Sequence, residues 1–342
     1  MSEPSGAAGA AAGVAESATA GGVSALGSAR AAEGVNIGDH YDVVIVGGGP
    51  AGLSTGLNLV RSRRRVLILD SNRPRHSATL VSHGFITRDG VSPLELRALG
   101  REEFAAYPTA EFHQGLVGSI TRTDDGFAVT SRGVRGSADR AVTASAIVLT
   151  SGLAETLPEL PSIRAYYGTS LHSCIECDAF EKIDGALALI GTTDDLAERA
   201  VLISQLTDDL IVFTNASSAV TPAEEAALAG RGITVERRAI ADVVGDRSGL
   251  TGVQLHDGTV VPRTGGFVRP LWSVPLDFAA SLDLARDEEG HILVDDRGAT
   301  SAPGVYAAGD ITPPGSQQLI VAAGAGARVA AALNRHLLGP LL

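Results

Sequence analysis

Residues Tyr41 to Val46 read YDVVIV, a continuous apolar run of the kind found in strands buried on both faces. A glycine cluster follows, and Leu53 to Val60 then has helical character. Arg65 to Leu69 forms a second apolar run that stops at Asp70. Strand, turn, helix and strand in that order predict parallel pairing through a right-handed crossover. The pattern then recurs. Ala186 to Ile190 (ALALI) predicts a strand, Asp195 to Leu206 a helix and Asp209 to Thr214 a strand. Phe127 to Ser131 and Ala146 to Thr150 predict further strands, and Gly304 to Leu337 a short strand, a turn and a long Ala-rich helix. The expected fold is α/β, with two dinucleotide-binding units of one plan.

Ahead of this pattern, 24 of residues 1–34 are Ala, Gly or Ser. Such a segment buries too little apolar surface to offset its ordering entropy, so residues 1–40 are expected to form a disordered tail. The chain has 342 residues, enough for about two domains and a core that needs no disulfide staples. Its formal net charge of −12 argues against a general nucleic-acid or anionic-membrane surface. No apolar run is long enough to span a bilayer, and the N-terminus lacks the pattern of a signal peptide. A cytoplasmic location is expected, where the two cysteines would start as thiols. Lys182 is the one lysine, which reads as base bias.

The first glycine cluster, Gly47-Gly48-Gly49-Pro50-Ala51-Gly52, fits G-x-G-x-x-G between a buried strand and a helix, with Asp70 ending the next strand. Gly47 permits the tight turn, Gly49 lets backbone N–H groups approach a pyrophosphate, and Gly52 allows close helix–strand contact. The helix N-terminus offers free donors and partial positive charge to the phosphates. Asp70 would accept bonds from ribose hydroxyls, and Arg75 could reach the pyrophosphate.

Leu171 to Phe180 reads LHSCIECDAF, so Cys174 and Cys177 form C-x-x-C just before the second unit. Three readings are open. A zinc half-site would need two further ligands, and no other cysteine exists. Two buried inert thiols are a second. A redox pair is favoured, because a two-residue spacer brings the sulfurs to bonding distance in one turn. Asp178 could then shuttle a proton, and His172 could assist thiolate formation, although a structural histidine is the competing reading. His83 is open to two readings of its own, proton transfer or loop packing. Trp272 is expected in the core or a dimer contact, and Arg61, Arg63, Arg64 and Arg65 at a solvated helix end.

From about Tyr41 to Leu337 the chain resembles low-molecular-weight thioredoxin reductase, a flavoprotein with two dinucleotide-binding domains. The resemblance rests on the first glycine motif, the C-x-x-C-D and the stretch Thr300 to Asp310 (TSAPGVYAAGD) with Gln317-Gln318-Leu319. It implies FAD as cofactor and a homodimer. Domains follow at 41–153 and 266–342 for FAD, with an inserted NADPH-like domain at 154–265. It implies flavin contacts from Gly309, Asp310, Gln318 and Leu319, with Val117 also facing the cofactor, and a final helix whose dipole stabilises reduced flavin. Cys177 would lie near the flavin, Cys174 would exchange with substrate, and Asp178 would be the acid/base.

The second unit departs from that pattern. Its turn is Gly191-Thr192-Thr193-Asp194-Asp195-Leu196, with one glycine kept, a β-branched residue where pyrophosphate should approach, and two carboxylates. After its second strand stands Thr214-Asn215-Ala216-Ser217-Ser218, without an arginine for a 2′-phosphate. The domain is expected to keep its fold and lose NADPH. Electrons would then flow from a dithiol substrate through the cysteine pair and FAD to oxygen. This is similar to the dithiol oxidases that close disulfides in holomycin, gliotoxin and romidepsin. His83 to Gly90 and Pro93 to Leu96 add to that likeness, and a dithiolopyrrolone such as reduced holomycin is the favoured substrate. The alternatives are a thioredoxin reductase fed by NADPH or ferredoxin, and a flavin redox sensor without turnover.

Overall fold

A computed structural model describes residues 40–313, 315 and 317–340. Residues 1–39 of the expected tail lie outside the described residues, and His40, its last position, opens the first strand instead. Of the six strands in the first sheet, β1 (His40–Val46), β2 (Val66–Asp70), β3 (Ala110–Thr123), β4 (Gly126–Gly133) and β5 (Arg140–Leu149) come early, and β16 (Val305–Ala307) returns near the end. β1 runs parallel to β2 on one side and to β5 on the other, as two fully apolar strands require of their neighbours. β5 changes partner along its length. Arg140 to Ala144 pairs antiparallel with β4, and Ile147 to Leu149 pairs parallel with β16.

Helix α1 (Pro50–Arg61) links β1 to β2 and crosses α7 (Leu319–Leu338) closely. A Cβ at Gly326 would lie 2.1 Å from the Ala51 carbonyl oxygen, and Thr55 Oγ1 donates to the Gly326 carbonyl at 3.0 Å. Only glycine permits that approach, and it brings the two helix starts together. α2 (Pro93–Ala105) is capped by Ser92, whose hydroxyl accepts from the Glu95 N–H. The arginines after α1 are more than a solvated end. Arg64 donates to Asn334 of α7 at 2.9 Å, and Arg61 to the Tyr107 hydroxyl at 2.6 Å.

The second sheet has the order β10-β9-β8-β14-β7, formed by β7 (Leu171–His172), β8 (Leu187–Ile190), β9 (Leu210–Phe213), β10 (Thr234–Glu236) and β14 (Gly265–Val268). α3 (Ile163–Tyr166), α4 (Ile175–Asp178), α5 (Leu196–Ile203) and α6 (Pro222–Ala229) accompany it, and β11 (Ile240–Asp246), β12 (Gly249–Leu255) and β13 (Val260–Pro262) form a separate antiparallel sheet. β6 (Ala154–Thr156) pairs antiparallel with β15 (Leu271–Ser273), so the two chain crossings between the main sheets run side by side. The expected boundary at 265/266 falls inside β14, which pairs with β8 and β7 over its whole length. The return to the first sheet comes after Val268.

Both units follow the plan read from the sequence, and most predicted strands end within one or two residues of those observed, but the strand expected at Ala146 to Thr150 begins six residues earlier, as Arg140–Leu149. The helix expected from Asp195 to Leu206 is shorter, Leu196–Ile203. Asp195 stands at its N-cap position, and the chain leaves helical geometry after Ser204.

Candidate active site

The turn after β1 is built around missing side chains. Gly47 has φ +108°, and a Cβ there would sit 2.4 Å from the Thr150 carbonyl oxygen. A Cβ on Gly52 would lie 2.0 Å from the Gly47 carbonyl oxygen, so this glycine packs α1 onto the turn rather than lining the site. Gly49 differs from both, because nothing lies within 4 Å of where its Cβ would be. That open face lies at the start of α1, where the backbone N–H groups of the first turn lack helical partners. The Thr150 hydroxyl bridges the carbonyls of Val46 and Gly47 at 2.9 Å each and fixes the turn from the β5 side.

Asp70 is held on both carboxylate oxygens. Oδ1 accepts from the Gly48 N–H at 3.1 Å and Oδ2 from Arg97 at 2.5 Å. Arg97 comes from α2, is 2% exposed, and also donates to Asn72 Oδ1 at 3.0 Å and the Gly48 carbonyl at 3.3 Å. Burial opposes the guanidinium charge, and Asp70 compensates it. Sequence reasoning missed Arg97, since a lone arginine on a polar helix gives no sign of burial. It also missed Gly48, Thr150 and Tyr167. The run Thr150-Ser151-Gly152 after an apolar strand was the one available signal for Thr150.

Across the cavity, Arg75 forms an ion pair with Asp310 at 2.7 Å and stacks on Trp272 at 4.7 Å. Trp272, on β15, is therefore half-buried against Arg75 rather than in the core. Gly309 has φ +81° and faces Ala51 of α1. Gln318 and Leu319 open α7, whose first turn carries no acidic residue. Two helix N-termini, α1 and α7, thus face one space.

That space reaches the cysteines. One cavity of about 430 Å³ is lined by Gly47, Gly49, Pro50, Ala51, Asp70, Arg75, His83, Val117, Gly309, Asp310, Gln318 and Leu319. The same cavity is lined by His172, Cys174, Cys177 and Asp178. Gly52, as noted, stands behind the wall. Cys174 and Cys177 are joined as a disulfide, where free thiols were the starting expectation for this compartment. A zinc site at this position would need the two sulfurs as separate ligands. Cys174 caps the single turn of α4, its sulfur accepting from the Cys177 N–H at 3.1 Å.

Beside the disulfide, His172 Nε2 lies 3.5 Å from Asp178 Oδ1. Burial pushes the Asp178 carboxyl up to about 6, against the attraction of Lys182. Burial, with Lys182 nearby, pushes His172 down to about 4. Asp178 therefore titrates close to neutrality while His172 stays uncharged there, which suits Asp178 as the proton carrier. Tyr167 donates to Glu155 and also bonds Ser173 at 2.9 Å, and Arg199 of α5 bonds the Ser173 carbonyl at 2.7 Å, so the segment before Cys174 is held from two sides. His83 bridges Glu181 at 3.3 Å and Asp89 at 3.5 Å at the mouth.

The turn of the second unit is filled by its own side chains. Thr193 Oγ1 donates to Asp195 Oδ1 at 2.6 Å, and Arg269 pairs with Asp195 Oδ2 at 2.7 Å. A Cβ on Gly191 would meet Arg269 at 2.8 Å and Leu196 at 2.9 Å. Arg237 and Arg238, just after β10, are paired with Glu225 and with Glu236 and Asp257.

An open glycine cradle, two convergent helix starts and a disulfide in one cavity define a flavin-dependent disulfide oxidoreductase. The chain belongs to the pyridine nucleotide-disulphide oxidoreductase family, which it matches over residues 41–326, and within it is thioredoxin reductase-like. It is 27% identical to a probable thioredoxin reductase of Arthroderma benhamiae, over 87% of this chain and 80% of that one. The crystal structure of a putative thioredoxin reductase from Bacillus anthracis superposes with a TM-score of 0.80 at 32% identity, covering 87% of this chain and 98% of that one. That of HlmI superposes with a TM-score of 0.81 at 34% identity, covering 87% and 93%. Thioredoxin reductase homologues bind FAD, and the residues here fit that cofactor, since Gly49 leaves the space a pyrophosphate needs and Asp70 stands ready for a ribose. Among the described residues no helix is long and apolar enough to cross a membrane.

Proposed function

We propose that this protein oxidises a small-molecule dithiol to its intramolecular disulfide, with molecular oxygen as the final acceptor. The observation that carries this reading is the self-filled turn of the second unit. Thr193, Asp195 and Arg269, bonded to one another, occupy the place where a pyridine nucleotide would set its phosphates. The electron source is then the substrate.

One substrate thiolate attacks Cys174 Sγ, the Cys174–Cys177 bond breaks, and Cys177 leaves as a thiolate. The second substrate thiolate attacks the substrate sulfur of the mixed disulfide and releases Cys174. The substrate loses two electrons and two protons, and the cysteine pair gains the electrons. Asp178, ionised above about pH 6, takes a proton from the incoming thiol. When bound, FAD supplies a two-electron relay from the cysteine pair to oxygen, giving hydrogen peroxide. A dithiolopyrrolone such as reduced holomycin is the favoured substrate, supported by likeness to the holomycin-related HlmI. A homodimer is the proposed assembly.

The thioredoxin reductases among the relatives support a second reading, an NADPH-dependent reductase. Anaerobic mixing separates the two. A small dithiol should bleach the oxidised flavin within seconds and NADPH should leave it yellow. Bleaching by NADPH on that timescale would establish the reductase instead.

A further inference from the structure

We propose that the rim around the disulfide selects dithiols without negative charge, and that Glu176 is its main specificity-determining residue. The proposal rests on the dithiol-oxidase reading and narrows its substrate class. Glu176 lies between the two cysteines on α4, exposed, with Oε2 3.9 Å from Cys174 Sγ. No side chain forms an ion pair with it among the described residues. Arg199 feels its charge but commits a guanidinium N–H to the Ser173 carbonyl.

The surroundings add charge of the same sign. Glu181 and Asp89 are exposed at the mouth and joined through His83. Asp178 lines the cavity beside Cys177. The nearby cations are less available. Lys182 is half-buried, and burial lowers the pKa of its ammonium. Between the acids the rim is apolar. Val81 lines the cavity, Leu80 is 70% exposed next to it, and Phe180 is 77% exposed next to Glu181. An uncharged, apolar dithiol meets attraction on this surface, whereas a carboxylate-bearing one meets the Glu176 charge, with Asp178 behind it, as its thiolate closes on Cys174.

Dihydrolipoate and dihydrolipoamide test this, because they differ only in carrying a carboxylate or its amide. The readouts are the anaerobic bleaching rate and the thiols released on Cys174 and Cys177. At low ionic strength the amide should be preferred by about fivefold, falling below about twofold at high salt. Glu176→Gln should cut the preference to about twofold at low salt, and Glu176→Asp, which keeps the charge, should retain most of it. Equal use of both dithiols by the unaltered protein, or a preference unmoved by Glu176→Gln, overturns the proposal while the oxidase reading stands. If neither dithiol frees the thiols or bleaches the flavin, the oxidase reading falls, and the proposal with it.

Discussion

The two nucleotide-fold units share strands, helix and handedness, yet their turns have opposite contents. In the first, Gly47 and Gly52 let the backbone close tightly, and Gly49 keeps a face open. In the second, Gly191 remains, but Thr193, Asp195 and Arg269 bond one another where the open face would be. The apolar stretch Val43–Val46 of β1 is as buried as Leu187–Ile190 of β8, so the fold does not depend on the turn. Binding does, because a phosphate needs unobstructed N–H donors and no competing carboxylate. The second unit here still holds the cysteine segment through Arg199 and Ser173.

The comparison can be broken most sharply at the disulfide, which in the proposed oxidase would be the point of electron entry. Cys177→Ser should reduce dithiol-driven bleaching at least about 1000-fold while the protein stays yellow, because the pair acts only as a unit. A colourless protein would count against the role given to Cys177. Next, Arg97→Met strands the Asp70 carboxylate without its partner. A loss of about 3 kcal/mol in stability is expected, with weaker FAD retention, measured by thermal unfolding and by flavin release on dilution.

Gly49→Ala sharpens the contrast between turns. The added methyl has room in the protein, so unfolding of the FAD-free form should change by under about 1 kcal/mol, while FAD affinity falls at least about tenfold. Thr193→Gly in the second unit should move neither FAD affinity nor NADPH reactivity, since Asp195 and Arg269 still fill the turn. A gain of rapid NADPH-driven bleaching in that variant would show that one side chain alone blocked the site.

The smallest expected effect is in pH. Asp178 has its pKa raised to about 6, so below that value the group already carries a proton and cannot accept another. The bleaching rate should rise as pH increases through about 6 and then level off. His172, lowered to about 4, stays neutral across that window and contributes no second inflection. Asp178→Asn should flatten the profile, and an inflection that persists in this variant would reassign the proton acceptor.

Much of the site was legible in the chain. Gly47 and Gly52, at fixed spacing between apolar runs, close a turn whose conformation and approaches exclude side chains, and Gly49 between them leaves one face of that turn open. The C-x-x-C spacing likewise places two sulfurs on one turn. Arg97 was illegible, because its burial against Asp70 depends on where α2 packs, and no local pattern encodes that. The stacking of Trp272 under Arg75 was illegible for the same reason, since it joins residues almost two hundred positions apart across the ribbon of β6 and β15.

The sequence by itself determined the two-unit α/β plan and the C-x-x-C pair, which rest on local periodicity and spacing, and its resemblance to thioredoxin reductases implied FAD. The tertiary structure alone decided that the open glycine face and the disulfide share one cavity. It also decided that Asp178 sits where burial moves its pKa toward neutrality, and that Asp195 is met by Arg269. Those are matters of distance and dielectric between remote segments, which exist only once the chain has packed.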